Sequence, residues 1–340
     1  MVDMAATEPG SDVVRAAVTL ACRAPSLHNS QPWRWVADET GLHLYADPAR
    51  VIHATDHAGR ELMLSCGAVL DHLRVAMAVA GWDSSTERFP DPLNPDHVAT
   101  LQFQPIAAAS DEQYRRAAAI TRRYTDRLPF EPPAHWPALQ SALGRAVVEY
   151  DVLLDVVVDD DRPALAEASR LTETLRRYDT SYVDELRWWT SPFASDERLP
   201  QHLLVSSTEA ARVDVARRFP PGSETQQRVN VGHDQSKIVV LSTRDDTRLD
   251  VLRCGEALSA VLLECAMAGM ATCTLTHMTE LAQSRKIVAQ LTGTPGLPQL
   301  LIRVGRSAAT GRRIPHTARR PVTEVLEFWL MVDGRRKEMG

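Results

Sequence analysis

Two long apolar stretches dominate the pattern of hydrophobic and polar positions along this chain. Apolar residues recur on most faces of a helix over residues 60–81 and again over 249–269, which predicts two buried α-helices. Each stretch carries a glycine near its start, Gly67 or Gly255, and each is closed by an Ala-Gly pair. These shared features indicate a weak internal repeat, in which two related halves each contribute one central helix.

Shorter periodic segments surround the two long helices. Helices are predicted at 12–23, 111–120, 137–146, 163–178, 279–291 and 322–328. Strands are predicted from Trp33 onward and at 98–104, 152–158, 237–242, 271–276 and 299–304. The sum is an α+β protein whose sheets are covered by helices.

A stretch over 188–234 is rich in Ser, Pro and charged residues, and Pro-containing pairs break it repeatedly. A loop of this length inside a domain is usually a functional cover or a disordered insert. Trp188, Trp189, Phe193 and Phe219 supply apolar anchors that a solvated linker does not need. We therefore interpret 188–234 as a lid.

Composition narrows the possible partners. With 340 residues and 44% hydrophobic content, the chain can bury the core of one large or two ordinary domains. A net charge of -6 gives no general attraction to nucleic acid or to an anionic membrane, so an anion site requires a local basic cluster. No signal peptide is apparent and no stretch approaches the uninterrupted apolar length of a membrane span, which predicts a cytoplasmic protein.

The cysteines and histidines suggest no metal or disulfide chemistry. The five cysteines are odd in number and show no C-x-x-C spacing, which is typical of reduced, packed thiols. His53 and His57 have i, i+4 spacing, but the sequence offers no convincing third ligand. We predict no metal site.

The segment from Arg23 to Trp35 joins a helix to a strand through a polar turn. Pro25 stops the helix, and Ser26, Asn29 and Gln31 place hydroxyl and amide groups on irregular backbone, an arrangement suited to gripping a polyol or a phosphate. On turn chemistry alone, a locally capped turn explains these residues better.

Two basic segments add candidate anion contacts. Arg123, Thr125 and Arg127 fall within one short run, and Arg319 and Arg320 precede a proline near the carboxyl end. Arginine forks match phosphate oxygens bidentately, so both segments are candidates for phosphate binding. The alternative is that both segments are solvated basic loops.

The polar turn resembles the P-S-x-x-N-x-Q-P-W element of the nitroreductase family. The matching positions are Pro25, Ser26, Asn29, Gln31, Pro32 and Trp33, while His28 occupies a variable position. The second segment resembles the family's R-x-S/T-x-K/R element through Arg123, Thr125 and Arg127. Over nearly the whole chain outside 188–234, the arrangement looks like the Acg branch of nitroreductases.

This resemblance implies a nitroreductase fold with FMN as cofactor. Two pseudo-repeats, 1–115 and 116–340, would form an internal dimer-like unit, so that the protein is a monomer with one FMN site. Arg123 and Thr125 would hold the phosphate and ribityl chain, and Arg127 would face the pyrimidine edge. Arg319 and then Arg320 would neutralise the phosphate, opposite the turn with Pro25, Ser26, His28, Asn29 and Gln31.

The activity implied is NAD(P)H-dependent reduction of nitro compounds, quinones or a similar small aromatic acceptor. The flavin N5 would carry the chemistry, with no catalytic side chain. An alternative is a flavin-sequestering, storage or redox-sensing protein whose lid keeps nicotinamide out. A third is a descendant that has lost the flavin, against which the retained motifs argue.

Overall fold

The computed structural model describes residues 8–190, 204–219, 232–307, 317–332 and 335–338. The helices are α1 Ser11–Ala21, α2 Arg60–Val79, α3 Asp111–Arg122, α4 Trp136–Val147, α5 Arg162–Arg176, α6 Thr180–Trp189, α7 Ser207–Ala210, α8 Arg248–Met267, α9 Ala282–Gln290 and α10 Val322–Val325. The strands are β1 Trp33–Asp38, β2 Gly41–Ala46, β3 Trp82–Arg88, β4 His97–Pro105, β5 Phe130–Glu131, β6 Leu153–Val156, β7 Lys237–Thr243, β8 Ala271–Leu275, β9 Leu297–Ser307, β10 Leu326–Val332 and β11 Arg335–Glu338. This mixture confirms the predicted α+β class.

The first sheet has the strand order β11-β10-β1-β2-β4-β3. Strand β10 runs parallel to β1 and pairs Leu326 with Trp35, whereas β1, β2, β3 and β4 pair antiparallel. Trp35 and Leu44 turn inward and pack in the same apolar cluster as α1 and α2. The sheet therefore combines residues 33–105 with a strand that arrives more than 200 residues later.

The second sheet is centred on β9, which pairs antiparallel with both β7 and β8. Strand β6 lies beyond β7, and β5 pairs with the end of β9. Because successive strand residues face opposite sides, Leu300 and Ile302 pack in the cluster that contains α8, and Leu301 packs with residues of α5 and α9. The sheet is thus covered by helices on both faces.

Helices α2 and α8 cross at their glycines. A Cβ added at Gly67 would lie 2.8 Å from the Gly255 Cα, and one added at Gly255 would lie 2.9 Å from the Gly67 Cα. Both helices are buried around most of their circumference. This close approach explains why a helix-disfavouring residue lies inside each of two otherwise strong helices.

The elements predicted from periodicity are present. The predicted helices between 12 and 291, and the predicted strands, have ends within three residues of the observed ones. The elements that were not predicted are α6, α7, β2, β3, β5 and β11. Strand β3 is half-exposed and carries Asp, Ser and Glu, so its sequence lacks a strong β pattern.

The predicted helix at 322–328 is wrong. Only Val322–Val325 is helical, and the chain continues as strand β10 from Leu326. Pairing with β1 overrides the local helical pattern, which is the usual outcome when an apolar run can complete a buried sheet.

The expectation that no stretch could span a membrane also needs correction. By length and composition alone, Arg60–Val79 passes the test for a membrane span, but 78% of its most apolar window is buried inside the protein. Its apolar surface is therefore accounted for by the core.

The predicted division at residues 115 and 116 falls inside α3. Ala117, Ala119 and Ile120 of α3 pack with Val75 of α2 and Leu263 of α8. The division into two halves stays a prediction. Of the predicted lid over 188–234, residues 191–203 and 220–231 lie outside the described residues.

Replacing Gly67 with alanine should destabilise the protein, because the new methyl group would push against the backbone of α8. We expect a loss of about 1–3 kcal/mol or more in the free energy of unfolding, measured by urea denaturation. Gly144→Ala in α4 is the matched control: nothing lies within 4 Å of its Cβ position, so it should leave stability unchanged or gain about 1 kcal/mol. Equal effects of the two substitutions would contradict the close packing.

Candidate functional site

A cavity of about 300 Å³ lies between the polar turn, α2, β8 and the segment 205–219. That volume is at the lower end of the range for small-molecule sites. Its wall includes five of the predicted site residues: Pro25, Ser26, His28, Thr125 and Arg127. It also includes side chains that sequence reasoning did not single out, namely Glu61, Ser65, Arg217, Cys273 and Arg303.

The polar turn has an unusual backbone. His28, Asn29 and Gln31 all have positive φ angles, of 50°, 65° and 48°. Such conformations are costly for non-glycine residues and persist where the surroundings enforce them, often at functional sites. Here the Gln31 backbone N–H donates to Ser26 Oγ at 3.0 Å, which closes the turn.

Asn29 and Gln31 do not line the cavity. The Asn29 amide donates to the carbonyl oxygen of Ala318 at 3.1 Å, and the backbone N–H of Arg320 donates to Gln31 Oε1 at 2.9 Å. These two residues therefore fasten the carboxyl-terminal basic segment to the turn.

Arg320 differs from its neighbour Arg319. It lies 3.8 Å from the Asp47 carboxylate and 3.7 Å from that of Glu324, and it donates to backbone carbonyls. Its charge is thus compensated within the fold, so Arg320 serves the attachment of the segment.

Three arginines from distant parts of the chain meet beside the turn. Arg123 and Arg319 each donate to the carbonyl oxygen of Arg23, at 3.1 and 3.2 Å. The Arg23 guanidinium donates to the carbonyl oxygen of Thr317 at 3.1 Å. In the described part of the chain, none of the three forms an ion pair with a carboxylate, and the buried Arg123 Nε has no hydrogen-bond partner. We call Arg23, Arg123 and Arg319 the arginine cluster.

Burial and mutual repulsion make the positive charges of the arginine cluster unfavourable. Burial first, and then repulsion from Arg123 and Arg23, lower the pKa of Arg319 to about 9. Burial and then Arg23 lower the pKa of Arg123 to about 10. Uncompensated buried cations are unfavourable unless an anion joins them, so the cluster is a candidate anion site.

The segment 123–127 links the arginine cluster to the cavity. Arg123 belongs to the cluster, whereas Thr125 and Arg127 line the cavity, and Thr125 bridges to Thr272 at the start of β8. The Arg127 guanidinium lies over the Phe219 ring, 5.1 Å from its centroid. Burial is the main cause that lowers the pKa of Arg127, and no carboxylate of the described residues forms an ion pair with it.

His28 is a buried, neutral member of the cavity wall. Its ring packs edge-on against Phe219, with centroids 5.6 Å apart, and lies 6.1 Å from the Trp189 ring. Burial, and then the charges of Arg217 and Arg127, hold the pKa of His28 well below its ordinary value. Its Nε2 has no hydrogen-bond partner among the described residues.

The described part of the predicted lid, residues 204–219, closes one side of the cavity. Arg217 binds Glu280, donates to Tyr182 Oη at 2.9 Å and lies on the cavity wall. Burial opposes its charge, but Glu280 and Tyr182 hold the pKa of Arg217 above its ordinary value. The Asp214 carboxylate accepts hydrogen bonds from Nε and Nη2 of Arg162, each at 2.8 Å. The segment is thus anchored through Arg217 and through Asp214.

The histidine pair that suggested a metal site lies elsewhere. His53 and His57 are both exposed, and Asp56 between them caps α2 by accepting the Leu62 N–H at 2.8 Å. Within the described ranges, no group of three or more His, Cys, Asp or Glu side chains is placed to hold a metal ion.

Sequence reasoning missed Arg23, Arg217, Glu61 and Arg303. Arg23 stands two residues before Pro25, so its place beside the motif was a usable signal. The other three lie outside the quoted motifs, on a helix, a strand and the lid. Only the fold brings them to the cavity.

The sequence matches no family model. It is 53% identical over 315 residues to "Putative NAD(P)H nitroreductase acg" of Mycobacterium tuberculosis, which covers 93% of this chain and 95% of the relative. A second M. tuberculosis protein named as a putative NAD(P)H nitroreductase is 37% identical over 327 residues, covering 94% of this chain and 92% of that protein.

One solved structure shows the same fold, and a second is similar over part of the chain. The crystal structure of a putative nitroreductase from Anabaena variabilis superposes with a TM-score of 0.50 at 9% identity, covering 88% of this chain and 90% of that one. The FMN-dependent nitroreductase NfnB from Mycobacterium smegmatis in complex with NADPH superposes with a TM-score of 0.37 at 16% identity, covering 63% of this chain and 97% of that one.

Sulfate should bind the arginine cluster and raise the melting temperature of the flavin-free protein. Bound sulfate would relieve the repulsion that, together with burial, lowers the pKa of Arg123 and Arg319, and this relief should provide the stabilisation. Arg123→Gln or Arg319→Gln should lower the apparent sulfate affinity by about tenfold or more. Arg187→Gln, whose side chain is 69% exposed, is the control. An equal sulfate response in all variants would rule out the anion site.

Proposed function

Because this chain belongs to the nitroreductase family, as its 53% identity to the Acg protein shows, we propose that it binds one FMN and uses NAD(P)H to reduce nitro compounds or quinones. One observation carries the proposal: three arginines that lack a carboxylate partner among the described residues meet beside the polar turn, and Pro25, Ser26 and His28 of that turn line a cavity of about 300 Å³. The FMN phosphate needs a cationic site, and the flat isoalloxazine ring needs a cavity.

The arginine cluster fits the phosphate of FMN. A phosphate monoester carries nearly two negative charges at neutral pH, and arginine forks match its oxygens. Arg123 and Arg319 take the roles that their motif positions imply, and Arg23 adds a third cation. Binding of the phosphate would remove the repulsion among the three arginines. The free energy that this repulsion costs the apo protein would therefore add to the affinity for the cofactor.

The cavity fits the rest of the cofactor. Ser26 and Thr125 line it and would offer hydroxyl groups to the ribityl chain. Arg127 lines it over Phe219, where it would face the pyrimidine edge and favour negative charge on the reduced ring. Leu258 and Leu275 supply apolar surface to the ring.

The bound flavin would supply the hydride chemistry through its N5 position. The protein's own part is to hold the phosphate with Arg123, to orient the ring with Arg127 and to restrict water with the segment 204–219. His28 is neutral and adds no competing charge beside the ring. A small aromatic acceptor would bind against the exposed ring face.

The proposal includes a pseudo-dimer. The close contact of Gly67 with Gly255 supports the pairing of two equivalent central helices. In this arrangement residues 1–115 would supply the turn, and residues 116–340 would supply Arg123, Arg127 and Arg319. One chain then completes one FMN site, so we propose a monomer. A cytoplasmic location, where NAD(P)H is available, agrees with this function.

Purified protein should be yellow with one FMN per chain, and the flavin absorbance should bleach anaerobically on addition of NADPH or NADH. Arg123→Gln should weaken FMN binding by roughly 10–100-fold, because a charged hydrogen bond contributes about 1.5–3 kcal/mol. Riboflavin, which lacks the phosphate, should bind both forms with similar affinity. A colourless protein that fails to take up added FMN would refute the proposal.

A second candidate function is storage or protection of FMN. The observation that favours it is the anchored segment 204–219, whose Arg217–Glu280 ion pair is almost wholly shielded from solvent, with side chains 7% and 1% exposed. Such a cover would exclude nicotinamide while leaving the flavin bound.

Arg217→Gln distinguishes the two functions because it removes the ion pair that anchors the cover. If the protein stores FMN, the variant should be reduced by NADPH much faster than the wild type. If the protein is a reductase, the wild type should already be reduced quickly and the variant should gain nothing. Arg244→Gln, in an ion pair that is 72% and 62% exposed, is the control for stopped-flow measurements.

A further inference from the structure

One carboxyl group in the cavity wall has no part in the function proposed above. Glu61 lies in the first turn of α2, its side chain is 4% exposed, and it lines the cavity together with Ser26, His28 and Ser65. A titratable group that is buried in a ligand cavity is a candidate for proton transfer.

Three charged groups face the Glu61 carboxyl group. Arg60, from the same turn, forms an ion pair with it. Asp56 approaches from the loop before α2, and Glu280 approaches from the connection between β8 and α9. Arg60 also donates to the carbonyl oxygen of Gln299 at 2.6 Å, so its donors are shared between partners.

Both acidic neighbours are held by donors of their own. Asp56 accepts the backbone N–H groups of Glu61 and Leu62, at 3.2 and 2.8 Å, at the positive end of α2. Glu280 pairs with Arg217 and, at 3.5 Å, with Arg176. Of these three carboxyl groups, Glu61 is the one that lines the cavity.

The titration of Glu61 agrees with this assignment. Burial is the largest cause, and Asp56 and Glu280 add to it, so that the pKa of Glu61 stands well above its ordinary value despite the opposing charge of Arg60. The direction matches that of carboxyl groups which act as acids in other apolar sites.

We propose that Glu61 is the proton donor to the oxygen of a quinone or nitro acceptor reduced in this cavity, an inference that rests on the proposed function. The acceptor would receive two electrons and one proton as a hydride from the reduced flavin, and its oxygen would take a second proton as the carboxyl O–H bond of Glu61 breaks. A quinone then becomes a hydroquinone, whereas a nitro group becomes a nitroso group as one N–O bond breaks and its oxygen leaves as water. The resulting carboxylate is neutralised by Arg60, and solvent returns the proton.

The other described lining residues are unsuited to this role. The pKa of the His28 imidazole is too low for it to carry a transferable proton near neutral pH. Burial raises the pKa of the Cys273 thiol, and the guanidinium groups of Arg127 and Arg217 keep their protons. Glu61 combines position with the capacity to release a proton.

The protonated carboxyl group has a direct spectroscopic test that needs no flavin. The infrared spectrum of the apo protein in D₂O near pH 7 should contain a carboxylic acid C=O band that Glu61→Gln removes and Glu61→Asp retains. Glu256→Gln is the matched control, since Glu256 is also a fully buried helical glutamate with a raised pKa but lies outside the cavity. An unchanged band in Glu61→Gln would overturn the proposal.

Stability gives a second readout. A carboxyl group whose pKa is higher in the folded than in the unfolded state loses stabilising free energy as the pH rises from its unfolded pKa toward its folded pKa. As the pH rises above about 4.3, the unfolded-state pKa of a glutamate, the wild type should therefore lose stability relative to Glu61→Gln. A difference that is independent of pH, or of opposite sign, would contradict a raised pKa.

Transient kinetics test the role itself. FMN-loaded protein is reduced with dithionite, which bypasses nicotinamide access, and is then mixed with benzoquinone or with ferricyanide. Glu61→Gln should slow reoxidation by benzoquinone by about 100-fold or more, and Glu61→Asp should restore part of the rate. Ferricyanide accepts electrons without a proton, so its rate should stay unchanged.

The outcomes separate this inference from the proposed function. Equal loss with both oxidants would show that Glu61 serves structure only, and no loss with either would show that it donates no proton. A protein that binds no FMN would refute the proposed function, while the infrared result would still decide whether Glu61 is protonated.

Discussion

The close contact between α2 and α8 is the constraint on which the rest of the structure depends. Two buried helices that touch through Gly67 and Gly255 leave no room for side chains at the crossing. Their separation sets the position of the first sheet, which packs on α2, and of the second sheet, which packs on α8. The cavity takes wall residues from both helices, Glu61 from one and Leu258 from the other, so its width follows from the same contact.

Among the described residues, several buried charges are paired in the core but those of the arginine cluster are not. Arg303 is paired with Asp234 at 2.6 Å, and Glu256 with Arg88 at 2.7 Å. In the arginine cluster, by contrast, cations face one another and the fold supplies no carboxylate among the described residues. A fold tolerates such a departure where a ligand completes the balance. The unpaired charge therefore marks the site more clearly than the cavity's shape does.

Local sequence predicted the parts of the fold that local chemistry decides. Periodicity located α2 and α8, and the turn motif located Ser26 and His28 in the cavity wall. The motif could not show that Asn29 fastens the segment near Ala318 while its neighbours line the cavity. That distinction depends on where a distant segment packs. The same limit explains β10, whose strand form comes from pairing with β1. Glu61 was missed because nothing along the chain shows which face of α2 borders a cavity.

The route of the chain through the arginine cluster has a consequence for biosynthesis. Arg319 reaches back across 296 positions to the Arg23 carbonyl, and its segment is held in place by Asn29 and by β10 beside β1. A nascent chain that has emerged only as far as Arg123 therefore has an incomplete anion pocket. Tight binding of a phosphorylated ligand therefore requires that β10 has paired with β1. We expect the cofactor to bind late, after most of the chain has folded.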